Sequence, residues 1–269
     1  MIIATEFYMP KSEARLDEIV GAISHNDGVA EEVLLFVNSN EKESVSYAKK
    51  YLNFRKVTQI HRPQRQTFGS MCEDLKLLRS PDGTVAICNN DISFSQSAVD
   101  IINKDDMNNK FLCLTRWDKG RLKMPATSRK FSQDAWVFQP QFINDGMMNS
   151  SKFPFGVPGC DNRIAFNAVV SGMDVLNPCE IVRIDHRHAS DERNYKRNSR
   201  GTPARSAKMG HPAIYMNVLT TDSMEYDPDN LLYKRQQSWK HDVYRGEDAV
   251  KEAYTEFYRR CGDTKKGFL

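Results

Sequence analysis

At 269 residues with a formal charge of +3, the chain can bury a sizeable core, and it is too nearly neutral for charge alone to imply nucleic-acid binding. No run reaches the roughly 18 apolar residues of a membrane span, and Met1-Ile2-Ile3-Ala4 leads into a strand without a charged leader. The six cysteines show no C-x-x-C spacing, so a cytoplasmic chain with reduced, mostly buried thiols is expected.

In chain order, Ile2-Ile3-Ala4-Thr5-Glu6-Phe7-Tyr8 reads as a first strand. Pro10 and Ser12 then open a helix with Leu16, Ile19, Val20 and Ile23 on one face. Val33 to Val37 is a second buried strand ending in Asn38-Ser39-Asn40, and Val45, Ala48 and Leu52 mark the next helix. Val57 to Ile60 is a short third strand. Its exit, His61 to Thr67, leads to a helix with Phe68, Met71, Cys72, Leu75 and Leu78 on one face. After the turn at Pro81-Asp82-Gly83, the apolar run Val85-Ala86-Ile87-Cys88 is a strand covered on both faces. It ends in Asn89-Asn90-Asp91, where open α/β sheets place their chemistry. A helix around Ala98, Val99 and Ile102 and a strand from Phe111 to Thr115 follow.

This alternation predicts an α/β fold with a mostly parallel sheet flanked by helices. Neither G-x-G-x-x-G nor G-x-x-x-x-G-K-[ST] occurs, which argues against dinucleotide oxidoreductases and P-loop enzymes. Beyond residue 115 the pattern breaks into short polar segments set among aromatic, glycine and proline residues, as suits an acceptor-side lobe. The expected organisation is a catalytic domain over 1–190, divided near 115, then a basic loop over 191–212 and a C-terminal extension over 213–269. That extension contains a docking helix striped by Ala249, Val250, Ala253, Tyr254, Phe257 and Tyr258. The segment 183–208 carries eight Lys and Arg against three Asp and Glu, so the basicity of the chain is local.

Five segments taken in order, Asn89-Asn90-Asp91-Ile92-Ser93-Phe94, Thr115-Arg116-Trp117-Asp118, Ser132-Gln133-Asp134-Ala135-Trp136, Gly159-Cys160-Asp161-Asn162 and His186-Arg187-His188, carry a resemblance. Together they resemble a set of glycosyltransferases of the GT-A fold found in bacteria, algae and large viruses. The resemblance covers roughly residues 1–195. It implies transfer of a sugar from a nucleotide-sugar donor, UDP- or GDP-linked, to an acceptor hydroxyl with inversion. A divalent ion would offset the diphosphate's charge; Mg or Mn suits oxygen ligands, and imidazole favours Mn.

By that resemblance Asp91 is the metal-binding acid of a D-x-D motif whose first acid is here Asn89, a change that weakens the charge at the site. A late histidine supplies a second ligand. His186 and His188 are read as unable to serve together, with His186 preferred. Asp161 matches the general base of inverting enzymes, or else is a helix N-cap; Asp134 competes with it or holds sugar hydroxyls. Trp136 is an apolar platform for substrate or core, Trp117 and Asp118 are substrate contacts or structure, and Asn162 adjoins the acceptor. Thr5, Glu6 and Asn38 fall where the family places nucleotide base and ribose, while Arg62 and Arg65 precede a helix and suit the diphosphate. Two other functions compete. One is a metal-dependent phosphoesterase or nuclease using Asp91, Asp134, Asp161 and His186; the other is a nucleic-acid-binding module using the 183–208 segment. Within the transferase reading the acceptor is a glycan, or else an anionic polymer such as modified DNA steered by that segment.

Overall fold

The computed structural model describes residues 1–122, 132–153, 155–156, 160–187 and 219–220. The expected alternation is present. β1 (Ile2–Phe7), α1 (Glu13–Val29), β2 (Glu32–Asn38), α2 (Lys42–Tyr51), β3 (Val57–Arg62), α3 (Phe68–Leu78) and β4 (Val85–Cys88) follow one another. Next come β5 (Ile92–Phe94), α4 (Gln96–Lys104), β6 (Lys110–Leu114), β7 (Trp117–Asp118), β8 (Arg121–Leu122), β9 (Ala135–Phe138) and α5 (Asp145–Ser150). The remaining elements are α6 (Cys160–Val170), β10 (Asp174–Asn177), β11 (Ile184–His186) and β12 (Leu219–Thr220).

The main sheet has the order β12-β10-β6-β9-β4-β1-β2-β3. Its ladders are parallel except those of β9, which runs antiparallel to both β4 and β6. The sheet continues across residue 115, because β9 and β10 join strands formed before that point. A second sheet, β5-β11-β7-β8, collects the short polar segments. The Asn89–Phe94 stretch is therefore two elements, a turn leaving the main sheet and a strand of the smaller one.

Strand alternation sends Ile87, Phe111, Cys113 and Trp136 to one face, where α3, α5 and α6 cover them. Ala86, Cys88, Leu112, Leu114, Ala135 and Val137 point to the other face, against α4 and the small sheet. Both α1 and α2 pack on that second face over Phe7, Leu35 and Val37. Each large apolar side chain so enclosed contributes about 1.5–3 kcal/mol. The helices start where their caps stand. Ser12 accepts from Arg15 N at 3.3 Å, and Thr67 and Ser70 form a reciprocal capping box that opens α3. Asn26, buried within α1, acts like a neighbouring strand for β5: it donates to Ile92 O at 2.9 Å and accepts from Phe94 N at 3.0 Å.

The expected basic loop over 191–212 and the docking helix lie outside the described residues, as does the 213–269 extension apart from β12. Cys72, Cys88, Cys113, Cys160 and Cys179 are buried free thiols, as expected. Among the described residues no helix is long and apolar enough to cross a membrane.

Candidate active site

The site forms where β4 and β9 meet. Cys88 pairs with Ala135, so the residues just outside the ladder, Asn89 and Asp134, face each other. Asn89 donates through its backbone to Asp134 O at 3.0 Å and through its amide to Asp134 Oδ1 at 3.1 Å. A carboxylate from across the ladder, that of Asp134, thus stands beside Asn89. Asp134 is buried; its Oδ1 also accepts from Arg116 at 2.6 Å, and its Oδ2 has no partner among the described residues.

Beyond the turn, Asp91 is buried and its Oδ2 faces two nitrogen groups, Arg15 Nη1 at 2.7 Å and His186 Nε2 at 2.9 Å. Burial alone would raise the Asp91 pKa, but His186 and Arg15 outweigh it and hold the carboxyl well below the usual range. Register explains the histidine: His186 pairs with Ile92 on β5 and with Asp118 on β7. Its Nδ1 lies 2.9 Å from Asp118 Oδ1. Arg116 closes the series at 3.3 Å from the same Asp118 oxygen, and Arg15 is held from behind by Glu18 at 2.8 Å. Acids and bases therefore alternate from Glu18 through Arg15, Asp91, His186, Asp118 and Arg116 to Asp134.

Asp161 lies in the first turn of α6, one residue inside the helix, and so is not its N-cap. Its carboxyl accepts from Asn162 N at 2.9 Å and Gln133 N at 3.4 Å. The residue is partly buried. Desolvation, reinforced by the Asp134 charge and opposed by backbone N–H groups of Asn162, Gln133 and Asp161 itself, pushes the Asp161 pKa up to about 7.

These residues fit a divalent ion completed by substrate. A carboxylate behind the imidazole is the usual way a protein orients a ligating histidine, here with Asp118 Nδ1-bonded and Nε2 turned toward Asp91. The 2.9 Å between Nε2 and Oδ2 is near the spacing of two adjacent ligands each about 2.1 Å from one ion. Among the described residues the carboxylates of Glu18, Asp91, Asp118 and Asp134 stand around the Arg15 and Arg116 guanidiniums. The same residues offer no group of three or more His, Cys, Asp or Glu, so the remaining ligands would be substrate oxygens and water, as is common for Mg. His188 lies outside the described residues. Strand alternation does not set the two histidines against each other, because residues two apart share a face. His186 is simply the last residue of β11.

The remaining expected residues divide between this end of the sheet and the core. Thr5 donates to Cys88 O at 3.1 Å, tying β1 to β4. Glu6 accepts from Arg65 at 2.8 Å and from Gln66 N at 2.8 Å, and Arg65 stacks over Tyr8 with 4.9 Å to the ring centre. Arg62 forks onto Asp74 of α3 at 2.9 and 2.5 Å. Asn38 forms a turn, accepting from Asn40 N at 3.1 Å and donating to Glu41 at 3.0 Å. Trp117 donates to Cys179 O at 2.8 Å beneath the Arg183 guanidinium. Trp136 is fully buried against Phe68; it is core, because its strand position points into the α3 face. Asn162 is half-buried beside Asp161.

Sequence reasoning gave no role to Arg15, Glu18 and Arg116. Arg116 stands inside a quoted segment at a strand exit, and Arg15 lies in the first turn of the helix leaving β1, off its apolar face. Position at a strand–helix junction was the available signal.

No protein-family model matches the chain, and no curated protein sequence matches it. In structure the chain is similar to S. aureus TarS 1–349 in complex with UDP-GlcNAc, at 10% identity and TM-score 0.47 over 71% of this chain and 59% of that one. It is also similar to the mannosyltransferase PcManGT from Pyrobaculum calidifontis in complex with GDP-Man and Mn2+, at 12% identity and TM-score 0.45 over 71% of this chain and 58% of that one. A third similar structure is a 4-diphosphocytidyl-2C-methyl-D-erythritol synthase, at 10% identity and TM-score 0.44 over 72% of this chain and 93% of that one. The chain spans less than two thirds of the first two structures. Its chemistry is therefore read from the site itself.

Proposed function

We propose that the chain transfers a sugar from a nucleotide-sugar donor to an acceptor hydroxyl, with Asp161 as general base. The observation that carries this reading is that Asp161, with its pKa raised to about 7, is held at Gln133 N beside Asp134, beyond the ends of the central strands. A general base works best with a pKa near the working pH, where it is largely deprotonated yet still basic enough to take a proton. Asp161 takes the acceptor's proton as its oxygen attacks the anomeric carbon, so the product has inverted configuration. Asp134 holds the sugar, and Arg116 keeps Asp134 ionised and oriented.

Asp91 and His186 would hold the divalent ion, with Asp118 fixing the imidazole; the bound ion offsets charge on the departing diphosphate. Thr5, Glu6, Asn38, Tyr8 and Arg65 surround the exits of β1 to β3, and we assign the nucleotide to that end. UDP and GDP are the donors to try first. The acceptor is a glycan, or an anionic polymer drawn by the 183–208 segment.

The test is thermal stabilisation by a panel of UDP- and GDP-sugars with Mn2+, followed by product analysis. Binding of a donor, with transfer lost and donor binding kept in Asp161→Asn, is the expected result. Failure of every donor, and of UDP and GDP, overturns the reading. Phosphodiester cleavage in place of sugar transfer would favour the phosphoesterase alternative.

A further inference from the structure

Arg15 occupies the oxygen of Asp91 that a metal ion would need. Its Nη1 is 2.7 Å from Asp91 Oδ2 and 2.8 Å from Glu18 Oε2, while Nη2 approaches Asn90 Oδ1 at 3.5 Å. The guanidinium is largely buried, with 11% of the side chain exposed. A divalent ion bonded to the same oxygen would sit within a few ångströms of this fixed positive charge, and such repulsion is strong where water is scarce. The two cations compete for one oxygen.

Glu18 gives the arginine somewhere to stay. It lies one turn further along α1, so Arg15 can leave Asp91 while remaining tethered on the same helix. Arg15 also stands in the first turn of a 17-residue helix capped by Ser12, where the helix end favours anions. Its contacts to Asp91, Glu18 and Asn90 run through Nη1 and Nη2, and a planar guanidinium offers five N–H groups suited to phosphate oxygens.

We propose that Arg15 is a resident counter-ion of Asp91, displaced when a divalent ion binds, and that the released guanidinium then grips the donor's diphosphate. Arg15 thereby makes donor binding follow metal binding. The second half of this proposal rests on the transferase reading; the first half does not.

The test measures Mn2+ alone, and then UDP and GDP at saturating Mn2+, by calorimetry. Arg15→Gln is expected to bind Mn2+ at least tenfold more tightly than the wild type, and the nucleoside diphosphates at least tenfold more weakly. Arg15→Lys, which keeps the charge, should bind Mn2+ as the wild type does. Unchanged or weaker Mn2+ binding by folded Arg15→Gln overturns the proposal. In the wild-type protein, saturating Mg2+ should shift the Arg15 guanidinium NMR signal, and an unmoved signal overturns it as well, even if the variant does not fold. If no divalent ion binds the wild type, the counter-ion role fails while a metal-independent transferase survives. If Mn2+ behaves as expected but no nucleotide binds, the transferase reading fails and the exchange of cations stands.

Discussion

Asp161, the proposed base, would serve catalysis at the expense of stability. Its folded pKa lies near 7 against an ordinary 3.8. Folding therefore favours its protonated form: the associated stability is fully present below pH 4 and is lost as pH rises toward 7. Asp161→Asn is expected to stabilise the protein at pH 8 by up to about 4 kcal/mol and to leave it unchanged at pH 4, as measured by denaturant unfolding at the two pH values. Transfer by the wild type should rise with pH through about 7 as the base deprotonates, and the variant should lack this activity. Asp118 acts at one remove, through His186. Asp118→Asn is expected to weaken Mn2+ binding by about 10–100-fold with little change in melting temperature, a split that calorimetry and thermal unfolding together would show.

At the scale of elements, the contact between α3 and α5 is closer than any side chain permits. A Cβ added at Gly69 would lie 2.1 Å from Met148 O, and Gly69 N donates to Ser151 O at 3.0 Å. Gly69→Ala is expected to destabilise the fold by about 1–3 kcal/mol, seen as a lower denaturant midpoint. Its effect on donor binding should come only through folding, since α3 covers the face opposite α1. Elements of this kind were legible in the sequence where periodicity and caps agreed. Ser12, the apolar stripe of α1 and the run Val85–Cys88 predicted their structures because local preference and burial point the same way. The second sheet was not legible: β5, β7, β8 and β11 have three residues or fewer, too short for alternation to register. The site was partly legible for the same reason. Asp91, Asp134, Asp161 and His186 could be named individually, but the Asn89–Asp134 contact depends on β9 lying beside β4, and pairing at that distance along the chain leaves no local trace.

For the whole molecule, the alternating charges from Glu18 to Asp134 join α1, both sheets and the β6–β7 link through partly buried groups. The buried members Arg15, Asp91 and Asp134 leave charged partners uncompensated when removed, so substitutions there should cost more than surface ion pairs do, whereas the more exposed Asp118 costs little. The antiparallel strand β9 has a wider consequence. Among the described residues, β4 and β6 share no ladder except through it, and in chain order it follows both. A chain that stops before residues 135–138 would lack the strand that covers β4, and the edge left open, Val85–Cys88, is entirely apolar. Such an edge is a template for another copy of the chain. A fragment halted at residue 134 is expected to self-associate, scored by light scattering, and a monomeric fragment would contradict this. The strand that brings Asp134 beside Asn89 is thus also the one that covers the apolar edge of β4, so the candidate site cannot assemble while that border stands open.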